Sequence, residues 1–161
     1  MAKKNFHKVI IGRAETVSFV DFDINVPAKV DTGAYRSAIH ADKISLDKNG
    51  VLHFRILGGH PICKGMAREI ETDKYEEVNI ANSFGHSEKR YEVTLRIKIG
   101  ARVFNSKFSL ANRSKKVYPI LLGRTLLNGH FVVDTDFSSI DRAKLKKDYK
   151  INLPKDEEEG R

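Results

Sequence analysis

The strongest constraint on this chain is a nine-residue run in which apolar and polar side chains alternate. Tyr91 to Ile99 reads Tyr-Glu-Val-Thr-Leu-Arg-Ile-Lys-Ile. A period of two puts every second side chain on one face of an extended strand; a helix would scatter the same residues around its circumference. Gly100-Ala101-Arg102 follows, and Val103 to Leu110 alternates again, so the pair predicts a β-hairpin. Val51 to Leu57 alternates as well, between the turn signals Lys48-Asn49-Gly50 and Gly58-Gly59. Lys8 to Gly12, Glu15 to Asp21 and Ile24 to Val30 read as further strands, rich in Val, Ile and Phe.

Helical signals are few. Arg124 to Asn128 predicts one short helix closed by Gly129, and Asp141 to Tyr149 a helical turn or two around Leu145. Many short strands with little helix predict an all-β sandwich or barrel. At 161 residues the chain has the length of one domain, and its 40% hydrophobic content suffices for a packed core. The segmentation is an N-terminal arm at 1–7, a β domain at 8–140 and a charged, partly disordered extension at 141–161. That extension ends in Pro154-Lys155-Asp156-Glu157-Glu158-Glu159-Gly160-Arg161, a solvated charge run.

Lys and Arg number 29 against 21 Asp and Glu, a formal charge of +8 that favours anionic partners. The single cysteine, Cys63, excludes an internal disulfide and any zinc site built on several thiolates. The basic start MAKKNFHKVIIG lacks the apolar run of a signal peptide, and no stretch approaches the ~20 apolar residues of a membrane span. The expectation is a cytoplasmic protein with no membrane partner.

Two segments carry chemistry. In Ala28-Lys29-Val30-Asp31-Thr32-Gly33-Ala34 a strand runs into Asp-Thr-Gly, where Gly33 permits a tight turn and Thr32 offers a hydroxyl to backbone groups. In Tyr118-Pro119-Ile120-Leu121-Leu122-Gly123-Arg124-Thr125-Leu126-Leu127 an apolar strand meets Gly-Arg and then a short apolar turn. Together these resemble the retropepsin-like aspartic proteases. More closely, the chain is similar to a bacterial branch that carries the name ATP-dependent zinc protease despite its pepsin-type fold. Members of that branch run Val-Asp-Thr-Gly-Ala-Arg-Thr-Ser-Ala-Leu-His-Ala, against Val30 to Ala41 (VDTGAYRSAIHA) here. They also carry an Asp-Arg-Ser element before Pro-Met-Leu-Leu-Gly-Arg; here Asn112-Arg113-Ser114 precedes Pro119-Ile120-Leu121-Leu122-Gly123-Arg124. The resemblance extends from about Ile11 to Asp134.

The resemblance implies a retropepsin-like domain over 8–140: a closed all-β barrel, one lobe of a pepsin, with a short helix after Gly123-Arg124. It implies hydrolysis of peptide bonds by a water held between two carboxylates. One Asp-Thr-Gly per chain then requires a homodimer in which Asp31, Thr32 and Gly33 of both copies build the catalytic centre. Thr32 would reach across the two-fold axis. Ala34, Arg36, His40 and Arg113 are the implied substrate contacts, with structural readings open for His40 and Arg113. Ser37, Leu122, Gly123 and Arg124 are implied structural neighbours, Arg124 as a buried or half-buried cation needing a carboxylate or carbonyl. The flap over the substrate would come from Gly58-Gly59 or from Asn82 to Ser87. Where viral retropepsins place an acidic pair after the Ala, this chain has Tyr35-Arg36. Members of the bacterial branch often accompany glutamate or peptide ligases of the ATP-grasp type, so the implied substrate is an acidic, ligase-added tail.

Zinc and ATP find no support, since the chain contains neither His-Glu-x-x-His nor a phosphate-binding Gly-x-x-x-x-Gly-Lys loop, and no cofactor or metal is expected. His60-Pro61-Ile62-Cys63 offers two ligand types, but Pro61 prevents a regular helix there. Val132-Val133-Asp134-Thr135-Asp136 is the rival for a second carboxylate within one chain; Asp136 stands where glycine is needed, and Asp134 reads as a strand-end residue bound to backbone amides. Cys63 reads as a small buried hydrophobe. The alternatives are a non-catalytic peptide-binding β domain or a nucleic-acid-binding one; dispersed lysines without an aromatic platform disfavour nucleic acid.

Overall fold

A computed structural model describes residues 7–81 and 84–150. The described residues form eleven strands and two short helices. The strands are β1 (Val9–Ile11), β2 (Ala14–Phe19), β3 (Ile24–Val30), β4 (Ala38–Leu46), β5 (Leu52–Ile56), β6 (Arg68–Thr72), β7 (Glu76–Ala81), β8 (Ser87–Ile99), β9 (Arg102–Ala111), β10 (Ile120–Leu122) and β11 (Phe131–Val133). Helix α1 (Arg124–Leu127) lies between β10 and β11, and α2 (Arg142–Tyr149) follows β11.

Six strands close into a barrel in the order β10-β3-β2-β8-β9-β4, with β10 pairing back onto β4. The alternating hairpin is its longest part. Val93, Leu95, Ile97 and Ile99 face inward from β8 while Thr94, Arg96 and Lys98 face water, and Gly100 makes the turn to β9 in the left-handed region (φ 59°). Val17, Phe19, Val26, Ile39, Phe108 and Ile120 fill the interior, with the Phe19 and Phe108 rings 6.4 Å apart. β5 and β6 extend the sheet outward from β4, and β7 pairs only with β8, beyond the ring.

The barrel closes through β10, a strand of three residues. Ile120 sits opposite Ala28 of β3 on one side and Ile39 of β4 on the other. Both neighbours are buried, as is Ile120 itself. Outside the barrel, β1 and β11 form a parallel pair, and α2 is anchored by Leu145 against the core. Asp141 caps α2, its carboxylate accepting the Lys144 N–H at 3.0 Å. No helix of the described residues is long and apolar enough to cross a membrane.

The sequence signals had not delimited β4, β6 or β7. The first four residues of β4 are all buried because β9, β10 and β5 surround them, so no alternation marks the strand. β6 and β7 are edge strands rich in charge, Arg-Glu-Ile-Glu-Thr and Glu-Glu-Val-Asn-Ile-Ala. The terminal charge run falls outside the described residues.

Ile120→Ala removes a fully buried side chain from the closing strand and is expected to lower the unfolding free energy by about 2–5 kcal/mol. A denaturant titration checks this; a loss below about 1 kcal/mol would mean the closure is not a core contact.

Candidate active site

Strand β3 delivers Asp31. The Val30 N–H donates to the Arg13 carbonyl at 2.9 Å, and the Asp31 N–H donates to the Leu122 carbonyl of β10 at 2.9 Å. The chain then turns. Asp31 Oδ1 accepts the Gly33 N–H at 2.9 Å, and the Ala34 N–H returns to the Asp31 carbonyl at 3.2 Å. A Cβ on Gly33 would crowd Oδ1 at 3.2 Å. The half-buried carboxylate is therefore oriented by its own turn and leaves its second oxygen outside that bond.

The Gly-Arg segment clamps this loop from below. The buried Gly123 N–H donates to Ser37 Oγ at 2.9 Å, while the Ser37 carbonyl accepts the Ser109 N–H at 2.9 Å. Any Cβ on Gly123 would lie 2.4 Å from the Arg36 carbonyl oxygen, so only glycine fits this backbone-to-backbone contact. The N–H groups of Arg124 and Thr125 bond the carbonyls of Ala34 (2.8 Å) and Tyr35 (3.0 Å). The expected burial of Arg124 is corrected by the structure: the residue is exposed, and its partner is a carbonyl, with Nη1 donating to the Thr32 oxygen at 3.1 Å. Its guanidinium also lies 5.8 Å from the ring of Tyr35, and that of Arg36 lies 5.5 Å from the same ring. Arg36 in turn pairs at 2.8 Å with Glu92, which is buried.

The remaining predicted contacts are tied into the body of the fold. His40 is buried on β4; its Nδ1 accepts the Arg113 N–H at 2.9 Å, which assigns the proton to Nε2, the donor to the Gly58 carbonyl at 2.7 Å. Both ring nitrogens are thus occupied within the chain. Arg113 Nε donates to the Tyr118 carbonyl at 3.0 Å and braces the loop before β10. His60 packs edge-on against His40 at 5.4 Å and bonds the Lys116 carbonyl at 2.9 Å; its Nδ1 accepts the Ile62 N–H. Both His60 ring nitrogens are thus engaged within the chain, burial pushes its imidazole down to about 4, and burial pushes the Cys63 thiol up to about 12, so that thiol is no ready nucleophile. Asp134 accepts the Asp136 N–H at 2.9 Å, the backbone role read from sequence. Gly58 is buried beneath Arg55 and held by His40, whereas the β7–β8 hairpin stands off the barrel with Phe84 84% exposed near its tip; Asn82 and Ser83 of that flap candidate lie outside the described residues.

An open groove of about 1310 Å³ runs past Asp31 and Thr32. Arg13, Lys29 and Tyr118 line it from the barrel, and Arg142 and Lys146 from α2. No motif marks these residues; they meet only through long-range pairing of β3 with the Arg13 turn and through the docking of α2.

A closed six-strand barrel with an Asp-Thr-Gly turn seated on an apolar Gly-Arg strand defines a retropepsin-type aspartic protease domain. Comparison with known proteins agrees. Residues 10–144 match the family model described as RimB-like, retropepsin-like aspartic endopeptidase RimB, and the chain belongs to that family. A crystal structure of a Legionella pneumophila protein of unknown function superposes with a TM-score of 0.64 at 30% identity, covering 81% of this chain and 95% of that one. A relative from Shewanella pealeana, named "Probable alpha-L-glutamate ligase", is 32% identical over 131 residues, 80% of this chain but 29% of the relative. A protein of the same name from Desulfotalea psychrophila is 28% identical over 130 residues, 79% of this chain and 28% of its own length. The chain therefore spans less than a third of the ligases it matches.

His60 sets a pH limit on this scaffold. In the fold it stays neutral down to about pH 4, while the unfolded chain takes up that proton near the ordinary value of 6.5. The unfolded state binds more protons between those values, so stability falls as pH drops from 6.5 to 4 and this contribution levels off below. The full effect is about 3 kcal/mol at ~1.4 kcal/mol per pKa unit. Urea titrations across this window should give a shallower pH slope for His60→Gln than for the wild type; parallel slopes would contradict the assignment.

Proposed function

We propose that this chain is an aspartic peptidase that works as a homodimer, each copy contributing one Asp31. The observation that carries the reading is the oriented Asp31 carboxylate at the head of the Asp-Thr-Gly turn, half-buried beside a groove, once per chain. Two such carboxylates brought together by a two-fold axis cannot both ionise, so they share a proton. The ionised one takes a proton from a water, whose oxygen attacks the peptide carbonyl carbon. The protonated one donates to the carbonyl oxygen as the tetrahedral intermediate forms. Proton delivery to the leaving nitrogen then breaks the C–N bond, with no covalent enzyme intermediate. Thr32, exposed beside Asp31, faces the partner loop across the axis, and the projecting β7–β8 hairpin covers the substrate. A single buried thiol such as Cys63 suits the reducing cytoplasm, where we place the reaction.

The substrate we favour is an acidic tail of ligase-added glutamates on a protein. Three features support this. The relatives named as glutamate ligases contain a stretch that matches this chain. The formal charge is +8. Tyr35-Arg36 replaces an acidic pair immediately after the catalytic turn. Cations beside the site attract such a tail most strongly at low ionic strength.

The test is a mixed peptide library spiked with oligoglutamate-tailed peptides, incubated near pH 5 and pH 7 and read by mass spectrometry. Wild type is expected to cut the tailed peptides, more slowly as salt is added, and Asp31→Asn to lose about 10³-fold or more of that rate. Equal products from both proteins would overturn the peptidase reading; salt-independent cutting of apolar peptides would overturn the acidic substrate.

A further inference from the structure

We infer that Arg36 and Glu92 are a positioning pair that ties the Asp31 loop to the base of the β7–β8 hairpin. Strand β8 changes neighbours at Glu92: residues 87–92 pair with β7, and 92–99 with β9. Glu92 therefore lies opposite Glu76 on one side and Ser109 on the other. Glu76 and Glu92 are the one acid–acid pair in the β7–β8 ladder. Like charges directly opposite in an antiparallel pair repel, so the hairpin base needs cations. Lys107 of β9 takes Glu76 at 3.0 Å, with both side chains exposed. Glu92 differs, because its side chain is only 4% exposed and its ion-pair partner among the described residues is Arg36, at 2.8 Å. The Lys107 ammonium is held above its ordinary value, first by its bond to Glu76 and, more weakly, by the charge of Glu92, so the two acids and their cations act on one another. Without Arg36, Glu92 would be a buried charge left uncompensated directly across from Glu76.

The other end of the tie is the Asp31 loop. The Ser37 carbonyl accepts both the N–H and the Oγ–H of Ser109, at 2.9 and 3.2 Å, which lays the loop across β9 beside Glu92. The Arg36 guanidinium lies 5.5 Å from the Tyr35 ring, and that of Arg124 lies 5.8 Å from the same ring. Arg124 in turn donates to the Thr32 carbonyl at 3.1 Å. A run of contacts thus leads from Glu92 through Arg36, Tyr35 and Arg124 to the residue beside Asp31. Salt screens an exposed pair such as Lys107–Glu76 more than a pair with a buried member, so Arg36–Glu92 is the sturdier tie at the hairpin base. The consequence for catalysis, a hairpin held in fixed relation to the Asp31 carboxylate, rests on the peptidase reading, but the test of the pair needs no cleavage.

The measurement is amide hydrogen exchange of the full chain at pH 7, read by mass spectrometry on peptides covering the hairpin base, the Asp31 loop and β2 as reference. Arg36→Gln is expected to speed exchange at residues 76–78 and 90–92, and at 31–36, by about tenfold or more relative to β2. Arg36→Lys keeps the charge and should stay within about threefold of wild type. Combining Arg36→Gln with Glu92→Gln removes the unpaired buried charge, so protection should return at the hairpin base while residues 31–36 stay fast, because the tie is gone. If Arg36→Gln loses protection throughout the chain, the double variant should restore it. Wild-type exchange at the hairpin base in Arg36→Gln, equal behaviour of the Gln and Lys variants, or a double variant as unprotected as Arg36→Gln would each overturn the inference. The expected exchange pattern in a protein that cuts no peptide would count against the peptidase and leave the pairing standing.

Discussion

The double pairing of β10 is the constraint on which the rest depends. Three residues, Ile120–Leu122, hold β3 on one side and β4 on the other, and without them the barrel has two open edges. The same three residues end in the contacts that shape the Asp-Thr-Gly loop. Leu122 accepts the Asp31 N–H, Gly123 donates to Ser37, and Arg124 donates to Ala34. Barrel closure and the seating of the Asp-Thr-Gly loop thus adjoin in one run of hydrogen bonds, and a Cβ at Gly123, 2.4 Å from the Arg36 carbonyl oxygen, would push the loop off that seat.

The body of the fold is legible where burial is one-sided. β8 and β9 have a wet face and a dry face, so their residues alternate and the hairpin can be read directly. β4 is surrounded on its first turn of sheet, so every residue there is apolar or satisfied internally, and alternation vanishes. β6 and β7 sit at edges, where charge resists further pairing and conceals the strand. The Asp-Thr-Gly loop is legible because its bonding is local: Asp31, Thr32 and Gly33 are adjacent, and Gly33 bonds the carboxylate two residues away. The groove is not legible, because Arg13, Lys29 and Arg142 are brought together only by strand pairing and helix docking.

Arg124 shows how a motif transfers without its environment. A Gly-Arg cation suggests a buried or half-buried position with a carboxylate or carbonyl partner; Arg124 has the carbonyl, that of Thr32, yet stays exposed with the Tyr35 ring as its other neighbour. Arg36 takes the buried carboxylate instead, Glu92 from β8. His40 is a similar case: its place in the matched segment reflects a hydrogen bond that joins Gly58 to the loop at Arg113, on the side of β4 away from solvent.

The central claim is that one active centre is built from two copies of Asp31. The most direct measurement mixes wild type with Asp31→Asn at constant total protein, allows subunits to exchange, and follows peptide cleavage as the proportion changes. A shared dyad predicts that the rate falls as the square of the wild-type fraction, because every mixed dimer lacks one carboxylate. A rate that falls in simple proportion to the wild-type fraction would show that each chain carries a complete site and would contradict the claim.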